Sequence, residues 1–122
     1  MDRKFIVKDF ITRCALGDSH AAFAEYAGSG FVHHNPWFAP DADSLALAMH
    51  EAALQSPQTR IEVLRILEDG DTLMTHSRVQ HAPTSAPYAC AHIYRFEGEK
   101  IAELWDVAME VPTDATNSAG AF

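Results

Sequence analysis

The hydrophobic pattern of this chain changes its period once, near residue 58, and this change constrains the fold more than any other feature. Before it, apolar residues recur at spacings of three and four, as in amphipathic helices. After it, runs rich in β-branched and aromatic residues are separated by short turn signals. Helices followed by consecutive strands indicate an α+β domain, with the helices packed on one face of an antiparallel sheet.

The first half of the chain predicts three helices and one loop. Two helices lie within residues 2–28, and a third covers residues 41–55 with Asp43 or Ser44 as its N-cap. Between them, residues 31–40 read FVHHNPWFAP, with two prolines and no charged side chain. We expect this segment to be a loop that precedes the third helix.

The second half predicts four strands joined as a meander. Their sequences are TRIEVLRIL, TLMTHSRVQ, YACAHIYRF and IAELWDVAMEV. A curved sheet covered by three helices leaves a conical hollow between the two layers. The chain has 122 residues, enough for one compact domain, so we expect a single domain over residues 1–122.

The charge balance narrows the possible partners. Asp and Glu number 17 against 9 Lys and Arg, which gives a formal net charge of −8. Because such a field repels phosphate backbones and anionic lipids, we expect neither nucleic acid nor a membrane as a partner. The two cysteines form no CxxC pair and the N-terminal residues show no signal-peptide pattern, so we expect a cytoplasmic protein.

The final hairpin decides which polar side chains meet, and the sequence leaves two registers open. A three-residue turn with a bulge places His92 opposite Leu104. His92, Tyr94 and Asp106 then share one face, and the imidazole and carboxylate point into the hollow, where such a pair can exchange protons near neutral pH. A two-residue turn places His92 opposite Trp105 and sends Asp106 to the other face. In the alternative interpretation, Asp106 is a solvated charge at a strand end and His92 is a core imidazole.

Further candidates for ligand binding lie in the loop and on the second predicted strand. His34, Asn35 and Trp37 belong to an uncharged segment whose hydrogen-bonding groups are costly to bury without partners. The alternative is a structural turn built on Asn35. His76 is a candidate for lining the hollow. No HExxH or His-x-His motif is present, so we expect no metal. The glycine-rich phosphate loops and GxSxG are absent as well, which argues against nucleotide and serine-hydrolase chemistry.

The face of the sheet that points away from the helices is predicted to carry Arg95 and Glu103 as an ion pair, together with Ile93, Ile101 and Trp105. These large apolar side chains make that face too hydrophobic for full exposure to water. We therefore expect a homodimer that packs through this outer sheet face.

Four segments together resemble the SnoaL-like family of the nuclear transport factor 2-like superfamily, which includes polyketide cyclases and ketosteroid isomerase. The likeness is to the subfamily of predicted aldol-condensation proteins. The segments are FVHHNPWF at 31–38, RILEDGDTLMTHSRV at 65–79, HIYRFEGEKIAELWDV at 92–107 and NSAGAF at 117–122. The resemblance implies a cone-shaped fold in which N-terminal helices pack on a curved antiparallel sheet.

The same resemblance implies a site and an activity. In the cyclases of this family, an Asp on the last strand acts as acid and base beside a His on the preceding strand; Asp106 and His92 match these positions. His34 and Asn35 match the loop motif and would line the pocket mouth. The implied function is cofactor-independent aldol-type cyclisation or isomerisation of a small apolar carbonyl compound, with His92 and either His34 or Tyr94 as hydrogen-bond donors. The alternative is a non-catalytic binding domain for a small hydrophobic metabolite.

Overall fold

A computed structural model describes residues 2–122 and places three helices against one face of a five-stranded sheet. The elements are α1 (Arg3–Ala15), α2 (Ser19–Tyr26), β1 (Ala27–His33), α3 (Ala42–Gln55), β2 (Arg60–Asp69), β3 (Thr72–Gln80), β4 (Tyr88–Glu97) and β5 (Lys100–Glu110). The sheet order is β1-β5-β4-β3-β2, and only the β1–β5 pair is parallel. The predicted α+β fold, with helices on a mostly antiparallel sheet, is confirmed. Within the described residues, no helix is long and apolar enough to cross a membrane.

Strand β1 is absent from the sequence-based prediction, which places the end of a helix and the start of a loop there. The strand pairs with β5, so that Val32 lies beside Glu103 and His33 beside Leu104. Gly28 and Gly30 lie within it, and glycines of this kind usually indicate a helix end or a turn. The strand forms through its pairing with β5, which lies some seventy residues further along the chain. A local sequence pattern carries no information about such a distant partner.

The N-cap of α3 lies two or three residues earlier than predicted. Asp41 is the N-cap, and its carboxylate accepts hydrogen bonds from the backbone N–H of Ser44 at 2.9 Å and from the Ser44 hydroxyl at 2.8 Å. The prediction of Asp43 or Ser44 as the cap is therefore wrong. Asp43 instead lies in the first helical turn, where its negative charge favours the helix dipole.

The core lies between the helices and the face of the sheet that carries Leu73, Tyr94 and Leu104, called here the inner face. Phe10 of α1 is fully buried and contacts Phe23 and Tyr94, with ring centroids 5.0 Å and 6.3 Å away. The opposite face carries Trp105 and is called the outer face. Burial of these large side chains supplies most of the hydrophobic stabilisation and fixes which sheet positions face the helices.

The β4–β5 hairpin has neither of the two predicted registers. Its turn is a two-residue one, in which Glu97 pairs with Lys100, but a β-bulge then leaves Ala102 without a partner. The bulge shifts the pairing by one residue, so that His92 lies directly opposite Asp106.

The bulge also decides which side chains face the helices. His92, Tyr94 and Asp106 share the inner face, which is the grouping expected from a three-residue turn. Ile101, predicted on the outer face, is instead fully buried in the core, where it pairs with Phe96. The extra residue on β5 shifts the alternation of inward and outward side chains by one position. Ile101, before the bulge, and Leu104 and Asp106, after it, therefore all point to the inner face.

The hydroxyl groups of Tyr94 and Thr75 share a hydrogen bond of 2.8 Å, and both residues are fully buried. We expect Tyr94→Phe and Thr75→Val each to lower the free energy of unfolding by about 1–3 kcal/mol, because each substitution leaves the hydroxyl of the other residue buried without a partner. The double variant should cost less than the sum of the two, since neither group is then orphaned. Urea unfolding of the four proteins measures this coupling, and strictly additive losses would contradict it.

Candidate functional site

The helices and the inner face of the sheet enclose a cavity of about 690 Å³. Ile11 and Cys14 of α1 and Met49 of α3 form one side, and Cys90 and His92 of β4 form part of the other. This volume falls within the range of small-molecule sites, and most of the lining side chains are apolar. The cavity corresponds to the hollow that the sequence predicts.

Polar groups gather at one end of this cavity. Thr59, His81 and Tyr88 all line it, and the Thr59 hydroxyl lies 3.4 Å from Nδ1 of His81. The His81 ring packs edge-on against Tyr88, with centroids 5.4 Å apart. These three residues come from the chain segments at the ends of β2, β3 and β4, and they give the apolar cavity a partly polar rim.

His92 is the buried histidine of the cavity wall, with 9% of its surface exposed. It lies between Thr75 of β3 and Asp106 of β5, and its Nδ1 is buried without a hydrogen-bond partner. Burial lowers the pKa of His92 to about 4, although the charge of Asp106 opposes this shift. Burial therefore favours the neutral form of the His92 ring.

Asp106 lies on the inner face, half-buried, at the margin of the cavity. Its Oδ2 accepts a hydrogen bond of 3.1 Å from Nδ2 of Asn35. Asp106 is not itself among the lining residues, but His92, opposite it, and Ala108, two positions further along β5, both are. Asp106 is thus held at the edge of the cavity and is not a freely solvated strand-end charge.

Asn35 owes its orientation to the loop that follows β1. Its Oδ1 accepts from the backbone N–H of Trp37 at 3.0 Å, which leaves Nδ2 to donate to Asp106. The loop is anchored from below by His33, whose Nε2 donates to the carbonyl of Ala39 at 2.6 Å and whose Nδ1 accepts from the Asn35 backbone at 3.0 Å. The loop therefore presents a fixed amide donor to the carboxylate.

His34 lies on the outer face and not at the pocket mouth, so the prediction for this residue is wrong. Its ring stacks on Trp105, with centroids 5.0 Å apart and planes 9° from parallel. Its Nε2 donates to the carboxylate of Glu103 at 2.6 Å. Side chains alternate along extended backbone, so His33 points inward and His34 must point outward.

Of the three remaining residues predicted to contact a ligand, one lines the cavity and two do not. Trp37 lines the cavity and is 84% exposed, as a residue at the mouth would be. Tyr94 lies in the core, bonded to Thr75, and does not line the cavity. His76 lies on the outer face, where it is bonded to Arg65, because its neighbours Thr75 and Ser77 occupy the inward positions of β3. Tyr94 and His76 are therefore wrong as lining residues.

Cys90 lines the cavity, although no sequence motif predicts it there. Its position two residues before His92 on the same strand is a signal that could have placed it on the same face. Burial raises the pKa of the Cys90 thiol to about 11, and the charge of Asp106 adds to this effect. The thiol stays protonated and is a poor nucleophile. Thr59 and His81 lie where β2 begins and β3 ends, and their sequence gives no comparable signal.

The described residues offer no evident metal site. Within residues 2–122, no three His, Cys, Asp or Glu side chains come together in an arrangement that could hold a metal ion.

Comparison with known proteins gives one family match. The family described as SnoaL-like domain matches residues 7–104. The matched range contains Asn35 and His92 but ends before Asp106. No protein of curated function matches in sequence.

Several solved structures share the fold at low sequence identity. An uncharacterised cystatin-fold protein from Novosphingobium aromaticivorans has a TM-score of 0.73 and 16% identity, covering 88% of this chain and 98% of its own. A proposed polyketide cyclase from Bacillus cereus has a TM-score of 0.75 and 15% identity, covering 87% and 73%. A nuclear transport factor 2-like protein of unknown function from Cytophaga hutchinsonii has a TM-score of 0.70 and 14% identity, covering 89% and 91%. These likenesses show the cone-shaped nuclear transport factor 2-like fold.

The buried imidazole makes a specific prediction about stability and pH. The pKa of His92 is about 4 in the folded chain and about 6.5 in the unfolded one, so the unfolded state binds more protons between these values. The free energy of unfolding should therefore fall as the pH is lowered from about 6.5 to 4, by about 3 kcal/mol from this residue. His92→Gln should lose that much less over the same range, as measured by urea unfolding. Parallel curves for the two proteins would contradict the prediction.

Proposed function

This chain belongs to the SnoaL-like domain family, and from that premise we propose that it is a cofactor-independent acid/base enzyme acting on a small apolar carbonyl compound. The main support is the placement of His92, neutral and without a hydrogen-bond partner, in the wall of an apolar cavity and directly opposite Asp106. The reaction is an aldol-type closure or a proton-transfer isomerisation, and both begin with removal of a proton α to the carbonyl.

In this proposal Asp106 is the base. Asn35 binds its Oδ2, which fixes the carboxylate and leaves Oδ1 to take the proton from the α-carbon. The substrate lies with its apolar body in the cavity and its α-carbon at the margin, between Asp106 and His92. Trp37, on the loop that carries Asn35, lies at the mouth of the cavity.

His92 stabilises the negative charge that develops on the carbonyl oxygen. Because Nδ1 is buried, Nε2 is the ring nitrogen that a ligand reaches, and it donates its N–H to the oxyanion. The low pKa of His92 keeps the ring neutral, so it polarises the carbonyl without competing with Asp106 for the substrate proton.

The enolate can then react in two ways, by closure or by isomerisation. In both reactions Asp106 returns the proton that it removed. In a closure, the α-carbon attacks a second carbonyl carbon of the same molecule, and the proton passes to the new alkoxide. In an isomerisation, the proton returns to a different carbon of the conjugated enolate. The carboxylate is regenerated in both cases, so no cofactor or co-reactant is consumed.

Deuterium exchange tests the first step without knowledge of the natural substrate. We expect the protein to catalyse exchange of the α-protons of β-tetralone, a small apolar ketone, in heavy water, as followed by proton NMR. Asp106→Asn should lower the catalysed rate at least ~100-fold, the usual scale for loss of a general base, while the fold is retained because an amide oxygen can still accept from Asn35. His92→Asn should also lower the rate.

The matched control is His76→Asn, which removes a histidine from the outer face of the neighbouring strand. It should exchange at the wild-type rate. Wild-type activity in folded Asp106→Asn would remove the proposed base.

A second candidate function is a non-catalytic binding domain for a small hydrophobic metabolite. The position of Asp106 at the margin, outside the lining residues, favours it. In this case His92 and Asn35 only orient the ligand. Saturable binding of β-tetralone with no exchange above that of buffer would support binding alone.

We also propose that the outer face packs against a second copy of the chain in the cytoplasm. Val107 and Met109 are 63% and 57% exposed on this face, and Val32 of the neighbouring strand is 38% exposed. At the other end of the face, Phe122 lies over the guanidinium of Arg78. This leaves the β1–β5–β4 side for a partner. The two cysteines are buried, free thiols, as suits a reducing compartment.

Charge substitution on the outer face tests the dimer. Val107→Glu combined with Met109→Glu should convert the protein from dimer to monomer in sedimentation velocity, because two like-charged pairs would be buried across a symmetric interface. Leu47→Glu on α3 is a control of similar exposure, at 48%, on the opposite side of the molecule. A wild-type protein that sediments as a monomer would contradict the proposal.

A further inference from the structure

A second hollow, of about 290 Å³, lies beside the main cavity where α1 and α3 end. It shares three lining residues with the main cavity: Ala15, Ala53 and Thr59. All three have short side chains, so the boundary between the two spaces is made of small groups. The second hollow therefore adjoins the main cavity and is not an isolated depression of the surface.

The outer edge of this hollow carries two exposed leucines. Leu16, after the end of α1, is 56% exposed, and Leu54, in the last turn of α3, is 68% exposed, and both line the hollow. Two large aliphatic side chains exposed on either side of one hollow leave considerable apolar surface in water. None of the lining residues is Asp, Glu, Lys or Arg, and the polar side chains of the lining are His50, Ser56 and Thr59. The two leucines are the part of this surface that suits an uncharged apolar group.

The sizes of the two spaces indicate how a ligand would be divided between them. The main cavity has the volume of a complete small-molecule site, whereas the second hollow lies just below that range. Gly17 packs against α3 here, since a Cβ at that position would lie in van der Waals contact with the Cβ of Ala53, 3.5 Å away. A space of this size, bordered by the ends of both helices, suits an alkyl chain better than a second ring system.

We propose that the second hollow is a subsite for an unbranched alkyl tail, belonging to a ligand whose carbonyl-bearing body occupies the main cavity. This inference rests on the proposed function, because it takes the main cavity as the site of the carbonyl group. It adds a preference for long-tailed ketones, set by Ala53 at the boundary and by Leu54 at the far edge.

Two fluorescent ketones with the same head and different tails test the subsite. Propionyl-dimethylaminonaphthalene and dodecanoyl-dimethylaminonaphthalene share an aromatic body and a carbonyl, and their emission shifts to the blue in a dry site. We expect the wild-type protein to bind both, and the dodecanoyl compound at least ~10-fold more tightly, because each buried methylene adds up to about a fourfold gain. The ratio of the two dissociation constants is the quantity measured.

Substitutions then locate the tail. Leu54→Ser should lower this ratio at least ~3-fold without weakening the propionyl compound. Leu47→Ser is the matched control, a leucine of the same helix that is 48% exposed and lines neither space; it should leave the ratio unchanged. Ala53→Leu, which places a larger side chain at the boundary, should also lower the ratio.

The possible results distinguish failure of the alkyl-tail subsite from failure of the ketone site in the main cavity. An equal ratio in wild type, Leu54→Ser and Ala53→Leu, with the propionyl compound bound, would overturn the subsite and leave the main cavity as a ketone site. An equal loss in Leu47→Ser and Leu54→Ser would also overturn it, because the tail would then be binding exposed leucines in general. Failure of both compounds to bind would overturn the ketone site and the subsite together.

Discussion

The geometry of the site depends on one irregularity in the sheet, the β-bulge at Ala102. Without the bulge, the register that pairs Phe96 with Ile101 would continue along the whole hairpin. Asp106 would then point to the outer face. With it, Asp106 lies opposite His92 and turns toward the helices. A bulge is favoured here because Ala102 is small and Ile101 and Leu104, on either side of it, both gain full burial. Hydrophobic burial therefore sets the position of the carboxylate.

Most polar groups of the inner face find partners within the protein, and two buried ones do not. Tyr94 and Thr75 bond to each other in the core, and His33 uses both ring nitrogens to hold the loop. His92, directly opposite Thr75, has a buried nitrogen with no partner and a neutral ring, and the Ser77 hydroxyl on β3 is buried without a partner as well. Each unpaired buried group costs about 1–3 kcal/mol, and of the two only His92 lines the cavity.

Local patterns predicted most of the architecture but not the site's details. Ile6, Phe10 and Cys14, the stripe that predicts the first helix, are all buried, because a spacing of three and four is a property of the helix alone. Strand β1 and the hairpin register depend on contacts made elsewhere in the chain, so neither could be obtained from local spacing. The placement of Asp106 and His92 on one face was reached through a register that the structure does not have, and the resemblance to a family supported the pair more than the turn did.

The segment His33-His34-Asn35 connects three parts of the molecule through alternation alone. The first residue is buried beneath the loop, the second stacks on Trp105 of the outer face, and the third bonds to Asp106 of the inner face. Trp105 and Asp106 are consecutive, so the same short stretch of β1 and its loop grips both faces of β5. A rotation of β5 that moved Asp106 would break the His34 stacking as well as the Asn35 bond. The position of the carboxylate is thus fixed from both sides of the sheet, and any partner that covers the outer face would act on the site through β5.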